Sequence, residues 1–444
     1  MQGSYSKPCN KKIFYKKKEQ MTALFLFHRD FRSVDNTSLN ALKKAVGSTP
    51  IVPIFIFTPE QVTKENAYYN EKAIQFMIHG LLDITHLQTF FGDIIDVLQS
   101  LFESNTITHL GFNLDYTPYA LERTRKVQRL CKRHGVEVIA EEDYTLIPLN
   151  TIRDGGYYKV FNAFYERMKK LAIPKPTRKK ITFSAQRLRV KHDYRFKIPR
   201  RLQRNAGHPR LEALAILRKS FKNYDETRSI PSVETTHLSK YIKFGSVSIR
   251  EVYHALSRTS KRSGDLVRQV IWHDFYAALM FYLPVDETLG GGNIQHKKIT
   301  WSTNRRLFKA WCEGKTGFPI IDAGMRQLNE TGWMHNRVRL LTSNFLSLLL
   351  GINWRWGERY FAQHLVDYDP SSNNLNWQFS AQVGTDRNPF LRIYNPITQE
   401  EKYDPEGVYV KRWLGDDLHT IKPIIDLAEK RKEGQSRYKH SLRV

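Results

Sequence analysis

The C-terminal half of the chain sets seven of the protein's eight tryptophans, Trp272, Trp301, Trp311, Trp333, Trp354, Trp356 and Trp377, beside the amides Asn336, Asn373 and Asn374 and many charged residues. An indole can lose an electron and still sit buried in an apolar core, and an amide offers a donor and an acceptor at any pH. For one Trp alone, core packing is the better explanation. Seven together with the amides ask for more. Other chemistries lack their residues. Cys9, Cys131 and Cys312 lie far apart with no CxxC pair, so neither a disulfide framework nor a cysteine zinc site has its ligands, no metal is expected, and a reducing compartment fits best. No GxGxxG follows the first strand-like run, so a Rossmann-type dinucleotide site lacks its fingerprint.

The elements that must position these residues follow from hydrophobic periodicity. The chain has 444 residues with 70 Lys+Arg against 44 Asp+Glu, a formal net charge of +26. That length suggests two or three domains, and 41% apolar residues supply large cores. The charge excess points to a polyanion, nucleic acid first, although composition alone leaves a solvated basic surface equally open. Residues 1–20 are polar and basic and are expected to form a disordered extension. Over 21–150, short apolar runs at 23–27, 51–57, 106–112 and 136–140 alternate with helical patterns near 70–104 and 117–133, which predicts a parallel, Rossmann-like α/β domain. A linker is expected over 151–209, where 11 of the 27 residues from Arg178 to Arg204 are Lys or Arg. Helical spacing then dominates 210–415, as in 249–257, 265–282, 305–312, 320–329 and 338–350, so the second domain is expected to be all-α. Residues 416–444 read as a short C-terminal tail. No apolar run is long enough to cross a bilayer and no secretory signal is evident, so a soluble intracellular protein is expected.

Long motifs give these elements a context. Residues 314–328 (GKTGFPIIDAGMRQL), 332–339 (GWMHNRVR), 373–379 (NNLNWQF) and 392–396 (RIYNP), with 28–36 (HRDFRSVDN) and 158–161 (YKVF) upstream, closely resemble the DNA photolyase and cryptochrome family. The resemblance spans nearly the whole chain and is nearest to class I cyclobutane pyrimidine dimer photolyases. It implies an N-terminal antenna domain, a long linker, and a helical domain holding a U-shaped FAD. Tyr224, Thr235, Thr236 and Ser239 match positions that hold the FAD phosphates, with His237 where many relatives carry Arg. Arg339 and Asp367 match a buried ion pair against the isoalloxazine, Asp369 matches the acceptor of the flavin N3 proton, and Asn373 matches the residue facing flavin N5. Trp377, Trp354 and Trp301 match the tryptophan chain that photoreduces FAD, running from the flavin to the surface.

In the matched lesion pocket, Gln269 stands where dimer photolyases carry a glutamate, three residues before Trp272, so both share one helix face. Asn336 matches the dimer enzymes, where (6-4) photolyases carry a catalytic His. Leu340 replaces a Met, and Phe379 stands where many relatives have Trp. The implied function is light-driven repair of cyclobutane pyrimidine dimers by electron transfer from photoexcited reduced FAD. A cryptochrome-like blue-light receptor that uses FAD and the Trp chain but repairs nothing is the alternative. Asn113 matches a position lining a folate antenna, whereas Leu114 and Asp115 depart from that pattern, leaving folate, a deazaflavin or no antenna all open. The expected partner is UV-damaged DNA, with Arg337 and the linker cations as candidate phosphate contacts. No membrane partner is expected, the expected state is a monomer, and a eukaryotic host would place it in the nucleus.

Overall fold

The computed structural model describes residues 21–153, 156–203, 206–221, 223–259, 264–284, 299–384, 390–418 and 420–443. The expected N-terminal extension lies outside the described residues. Five strands, β1 Thr22–Leu26, β2 Ile51–Phe57, β3 Gln88–Phe91, β4 Ile107–Leu114 and β5 Glu137–Glu142, form one sheet in the order β3-β2-β1-β4-β5. All four pairings are parallel. The inner strands β1 and β2 are almost wholly apolar and buried throughout, as a parallel sheet covered on both faces requires. Separate apolar clusters fill the two faces, one around Leu98 and Leu130, the other around Phe31 and Leu42.

The stretch near 70–104 divides, correcting its helical reading. Helices Glu71–Leu82 and Ile94–Ser104 flank the edge strand β3, which pairs only with β2. Its four residues, Gln-Thr-Phe-Phe, are too few to show alternation, so a helical period runs through them undetected. The pattern over 338–350 also breaks. The helix Asn336–Asn344 passes into a π-helical turn, Phe345–Leu349. There Asn344 donates to the carbonyls of Ser380 and Arg392, both at 3.0 Å, and accepts from the Tyr394 N–H. These partners are distant in sequence, and no local signal announces them.

Among the described residues the C-terminal half contributes no strand to a sheet. Its main helices are Ile249–Thr259, Gly264–Tyr282, Arg305–Cys312, Pro319–Thr331, Trp354–His364 and Pro370–Ser380. Two segments read otherwise from sequence join this body. Within the expected linker, the helix Phe161–Met168 packs on Gly264–Tyr282. Within the expected tail, the helix Leu427–Arg443 docks on the π turn. Tyr438 is buried there and donates its hydroxyl to the Ala381 carbonyl, and Gly434 has no Cβ that would strike the Leu348 carbonyl oxygen 2.5 Å away. A mostly polar helix held by so few anchors leaves almost no amphipathic pattern.

The two domains are locked by buried charge. Arg250 of the helical domain reaches Asp35 at 3.1 Å and Asp143 at 2.7 Å in the sheet domain, and Arg32 pairs with Asp143. All four side chains are nearly inaccessible. Buried charges persist only when so paired and hydrogen-bonded. Much of the 28–36 motif therefore builds the domain junction. No helix among the described residues is long and apolar enough to cross a membrane.

Candidate active site

The helical domain encloses a cavity of about 520 Å³, which adjoins a second of about 240 Å³; Gln269, Asn336, Arg339 and Asp367 line both. The Gly264–Tyr282 helix contributes Gln269 and Trp272 from one face, as their i, i+3 spacing requires. The Asn336–Asn344 helix contributes Asn336, Arg339 and Leu340, and Pro370–Ser380 contributes Asn373, Trp377 and Phe379. Two caps fix these helices: His335 Nδ1 accepts from the Arg337 N–H, and Asp369 Oδ1 accepts from the Ser372 N–H. Burial, with Arg339 and Arg337 nearby, pushes the His335 imidazole down to about 4, so it serves as a neutral cap.

The residues expected to surround the flavin ring converge on the larger cavity. Arg339 donates to Asp367 Oδ2 at 2.8 Å, and Ser239 donates to the same oxygen at 2.6 Å. The other oxygen, Oδ1, is buried and has no hydrogen-bond partner among the described residues. Asn373 donates to both the backbone carbonyl and Oε1 of Glu358, at 3.2 and 3.0 Å. Because a backbone carbonyl only accepts, this fixes the Asn373 NH₂ toward Glu358.

Asp369 differs from its expected role. Its Oδ2 accepts from Arg29 and the Tyr144 hydroxyl, both at 2.7 Å, and its Oδ1 accepts from the Ser371 hydroxyl and the Ser372 N–H. Four donors fill the carboxylate, which leaves no acceptor site for a flavin N3 proton. Burial alone would raise this carboxyl, but Arg29 and Lys243 outweigh it and hold Asp369 far below the usual range. The correction follows from Arg29, 340 residues away in sequence. Ser239 likewise turns to Asp367 rather than standing free for a phosphate.

Tyr224, Thr235, Thr236 and His237 line the smaller cavity. His237 has a left-handed backbone with φ of 49° and its ring lies 3.9 Å from that of Trp333. Arg337 also lines this cavity, donating to Ser229 Oγ at 2.8 Å with its guanidinium 4.4 Å above the Tyr403 ring. Gln269 is loosely held, its side chain making one hydrogen bond among the described residues, a 3.4 Å donation to the Asp265 carbonyl. Trp272 is stacked from behind by Phe161, ring centroids 3.6 Å apart and 4° from parallel.

The three chain tryptophans grade from interior to surface: Trp377 and Trp354 are buried, and Trp301 is half-buried beside Tyr438. Trp377 lies against Gly357, where a Cβ would come within 2.1 Å of its ring. Sequence reasoning missed two neighbours. Trp311 is fully buried, meets Trp377 edge-on at 6.1 Å, and stands in sequence among other core candidates with nothing to single it out. Lys243 lines the large cavity, where burial and Arg29 push its ammonium down to about 8. In the antenna domain, Asn113 is already engaged: it donates to Asp30 and Asn36 and accepts from the Ser38 N–H. Asp115 pairs with Arg29 at 3.0 Å. No group of three or more metal-ligating side chains occurs among the described residues.

Two family models match the chain: "DNA photolyase" over residues 23–180 and "FAD binding domain of DNA photolyase" over 266–437. The deoxyribodipyrimidine photo-lyases of Vibrio cholerae and Escherichia coli are each 32% identical over 88% of this chain and 89% of their own length. An archaeal photolyase from Sulfolobus tokodaii, solved with two FAD molecules, superposes with a TM-score of 0.83 at 34% identity, covering 95% of this chain and all of the other. The Synechocystis cryptochrome shares the fold at 22% identity and a TM-score of 0.80 over 95% of this chain and 99% of its own. Overall identity above 30% across at least 88% of the chain means that it belongs to the DNA photolyase and cryptochrome family.

Proposed function

We propose that this protein is a deoxyribodipyrimidine photolyase that repairs cyclobutane pyrimidine dimers in UV-damaged DNA. The observation that carries the reading is the convergence of Gln269, Trp272, Asn336, Leu340 and Phe379 on the cavity that Asp367, Asn373 and Trp377 also line. The relatives matched over most of the chain carry the photolyase name, which favours repair over a receptor role.

The residues fit FAD. Asp367 Oδ1 is a buried acceptor without a partner among the described residues, suited to an imide N–H, and replaces Asp369 in that role. Asn373, with its NH₂ held by Glu358, offers its carbonyl oxygen as an acceptor, which suits a reduced, protonated N5. Arg339, paired with Asp367, would keep a positive charge at the ring, and the hydroxyls of Thr235 and Thr236 with Tyr224 would receive the phosphates. FAD, bound and reduced, supplies the light-excited electron.

The chain's own groups then do three things. Trp272, backed by Phe161, presents a flat face on which the extruded pyrimidine dimer stacks. Gln269 and Asn336 donate amide hydrogens to the base carbonyls, where negative charge grows once the dimer accepts an electron. Amides do not titrate, so this donation holds across pH. Leu340 and Phe379 keep water away from the same wall, and Arg337, which lines the smaller cavity, takes a phosphate.

The test is repair of an oligonucleotide with one thymine dimer, in blue light and in the dark, by the FAD-loaded protein. Light-dependent restoration of thymine absorbance is expected. Equal signals in light and dark would refute repair.

A further inference from the structure

A basic segment lies apart from both cavities. Residues 178–201 carry ten Lys and Arg against one acid, Asp193. The segment is not loose. Its backbone is tied to the sheet domain by Ile181 N–H to Ser33 O (2.9 Å), Ser184 N–H to Ile51 O (2.8 Å) and Phe196 N–H to Thr89 O (3.1 Å). Side-chain anchors add to this, with the Lys191 N–H donating to Ser100 Oγ and Gln88 Nε2 donating to the Gln186 carbonyl.

Burial sorts the side chains. Ile181, Phe183, Leu188 and Ile198 point inward, each less than a tenth exposed. Arg178, Lys179, Lys180, Arg187, Lys191 and Lys197 are exposed. His192 and Asp193 pair with each other, and among the described residues none of those six cations has a carboxylate partner. Along 187–191 the pattern alternates strictly, with Leu188 and Val190 inward and Arg187, Arg189 and Lys191 outward. In an extended chain, alternate residues stand about 6.6 Å apart, roughly twice the 3.4 Å axial spacing of phosphates along one DNA strand. A surface built only for solubility intersperses both signs of charge. Here one sign is held in a row by an apolar underside, and burial together with Arg187 pulls the partly covered Arg195 below its usual range.

We propose that residues 178–201 form a second nucleic-acid surface, which holds undamaged duplex DNA by its phosphates independently of the helical-domain cavity. None of these residues lines either cavity. The inference goes beyond dimer repair and does not depend on it. Its role would be to retain the protein on bulk DNA by sequence-independent contacts that exchange with salt.

The experiment uses the full-length, FAD-loaded chain and a fluorescent undamaged duplex of about 30 base pairs, titrated across a salt series. One variant carries Lys179→Gln, Lys180→Gln, Arg187→Gln and Lys191→Gln. A matched control carries Lys44→Gln, Lys126→Gln, Lys132→Gln and Arg133→Gln, four exposed cations on two helices of the sheet domain. Thermal melting and flavin content show that both remain folded. The linker variant is expected to bind about tenfold or more weakly at low salt, with the slope of log K against log salt reduced by about 3–4. The control should stay close to the parent. Equal losses in both variants would mean that net charge alone acts, and no loss in the linker variant would mean that the row is a solvated face. Either overturns the proposal. So would a linker variant that loses binding to phosphatidylserine vesicles while keeping its affinity for the duplex.

Discussion

Gly357→Ala puts the contact between the Trp354–His364 and Pro370–Ser380 helices to a quantitative test. By helix propensity alone the change should stabilise by about 1 kcal/mol. The structure predicts the reverse. A Cβ at 357 would stand 2.1 Å from the Trp377 ring and 2.5 Å from Leu346 Cδ2, whereas carbon atoms in comfortable contact are about 3.5–4.0 Å apart. Trp377 must therefore retreat by roughly 1.5 Å, judged against that contact distance. It has little room: it is 2% exposed, with Phe361 edge-on at 4.9 Å and Trp311 at 6.1 Å. Overpacking of this kind costs about 1–3 kcal/mol, enough to cancel the propensity gain and leave a deficit of up to about 2 kcal/mol. In a chain of 444 residues each kcal/mol lowers Tm by about 1 °C. Melting of the variant should fall, by up to about 2 °C. Blue-light reduction of its FAD in the presence of a thiol should slow, because the displaced indole is the proposed first electron donor. A variant that melts higher than the parent and photoreduces at the same rate would refute both the packing argument and the placement of Trp377.

Three further outcomes are expected. Trp377→Phe should block photoreduction of bound FAD while leaving its binding intact, which absorbance under continuous blue light will show. Gln269→Glu should maintain or raise dimer repair, whereas Gln269→Ala should lose about 1–3 kcal/mol, roughly 5- to 150-fold in lesion affinity or quantum yield; equal repair by both would remove Gln269 from the pocket's chemistry. Lys243 is held below the usual lysine range by burial and Arg29, at about 8. Between there and the normal range near pH 10.4 the unfolded chain holds a proton that the folded apoprotein does not, so apoprotein stability gains as pH rises through this window. FAD brings negative charge that favours the protonated amine, so its affinity should fall above pH about 8 in the parent and lose that dependence in Lys243→Met, as flavin fluorescence titrations would reveal.

Much of this architecture is legible in the chain itself because its signals are local. The apolar runs of β1 and β2 and the long C-terminal motifs are written in contiguous residues, and Gln269 and Trp272 declare their common face by spacing alone. What escapes is set by partners far away. β3 has four residues and exists through its pairing with β2. The π turn depends on Asn344 meeting Ser380 and Arg392. Asp369 looks free until Arg29 arrives from the other domain, and Trp311 becomes notable only because Trp377 folds against it. Tyr438 anchors a helix whose sequence is too polar to advertise itself.

The Arg250 junction also bears on how the protein emerges from the ribosome. Asp143 is made 107 residues before Arg250, which at typical synthesis rates is an interval of roughly 5–20 s. Throughout it the sheet domain has all five strands available and one of its buried cations missing. Asp35 then lacks Arg250 and the Ser248 hydroxyl that it accepts from in the finished fold. The nascent N-terminal half should thus wait in a hydrated, incompletely closed form. Its last face seals only when the first helices of the FAD-binding domain leave the exit tunnel, which makes the order of synthesis part of how the two domains find each other.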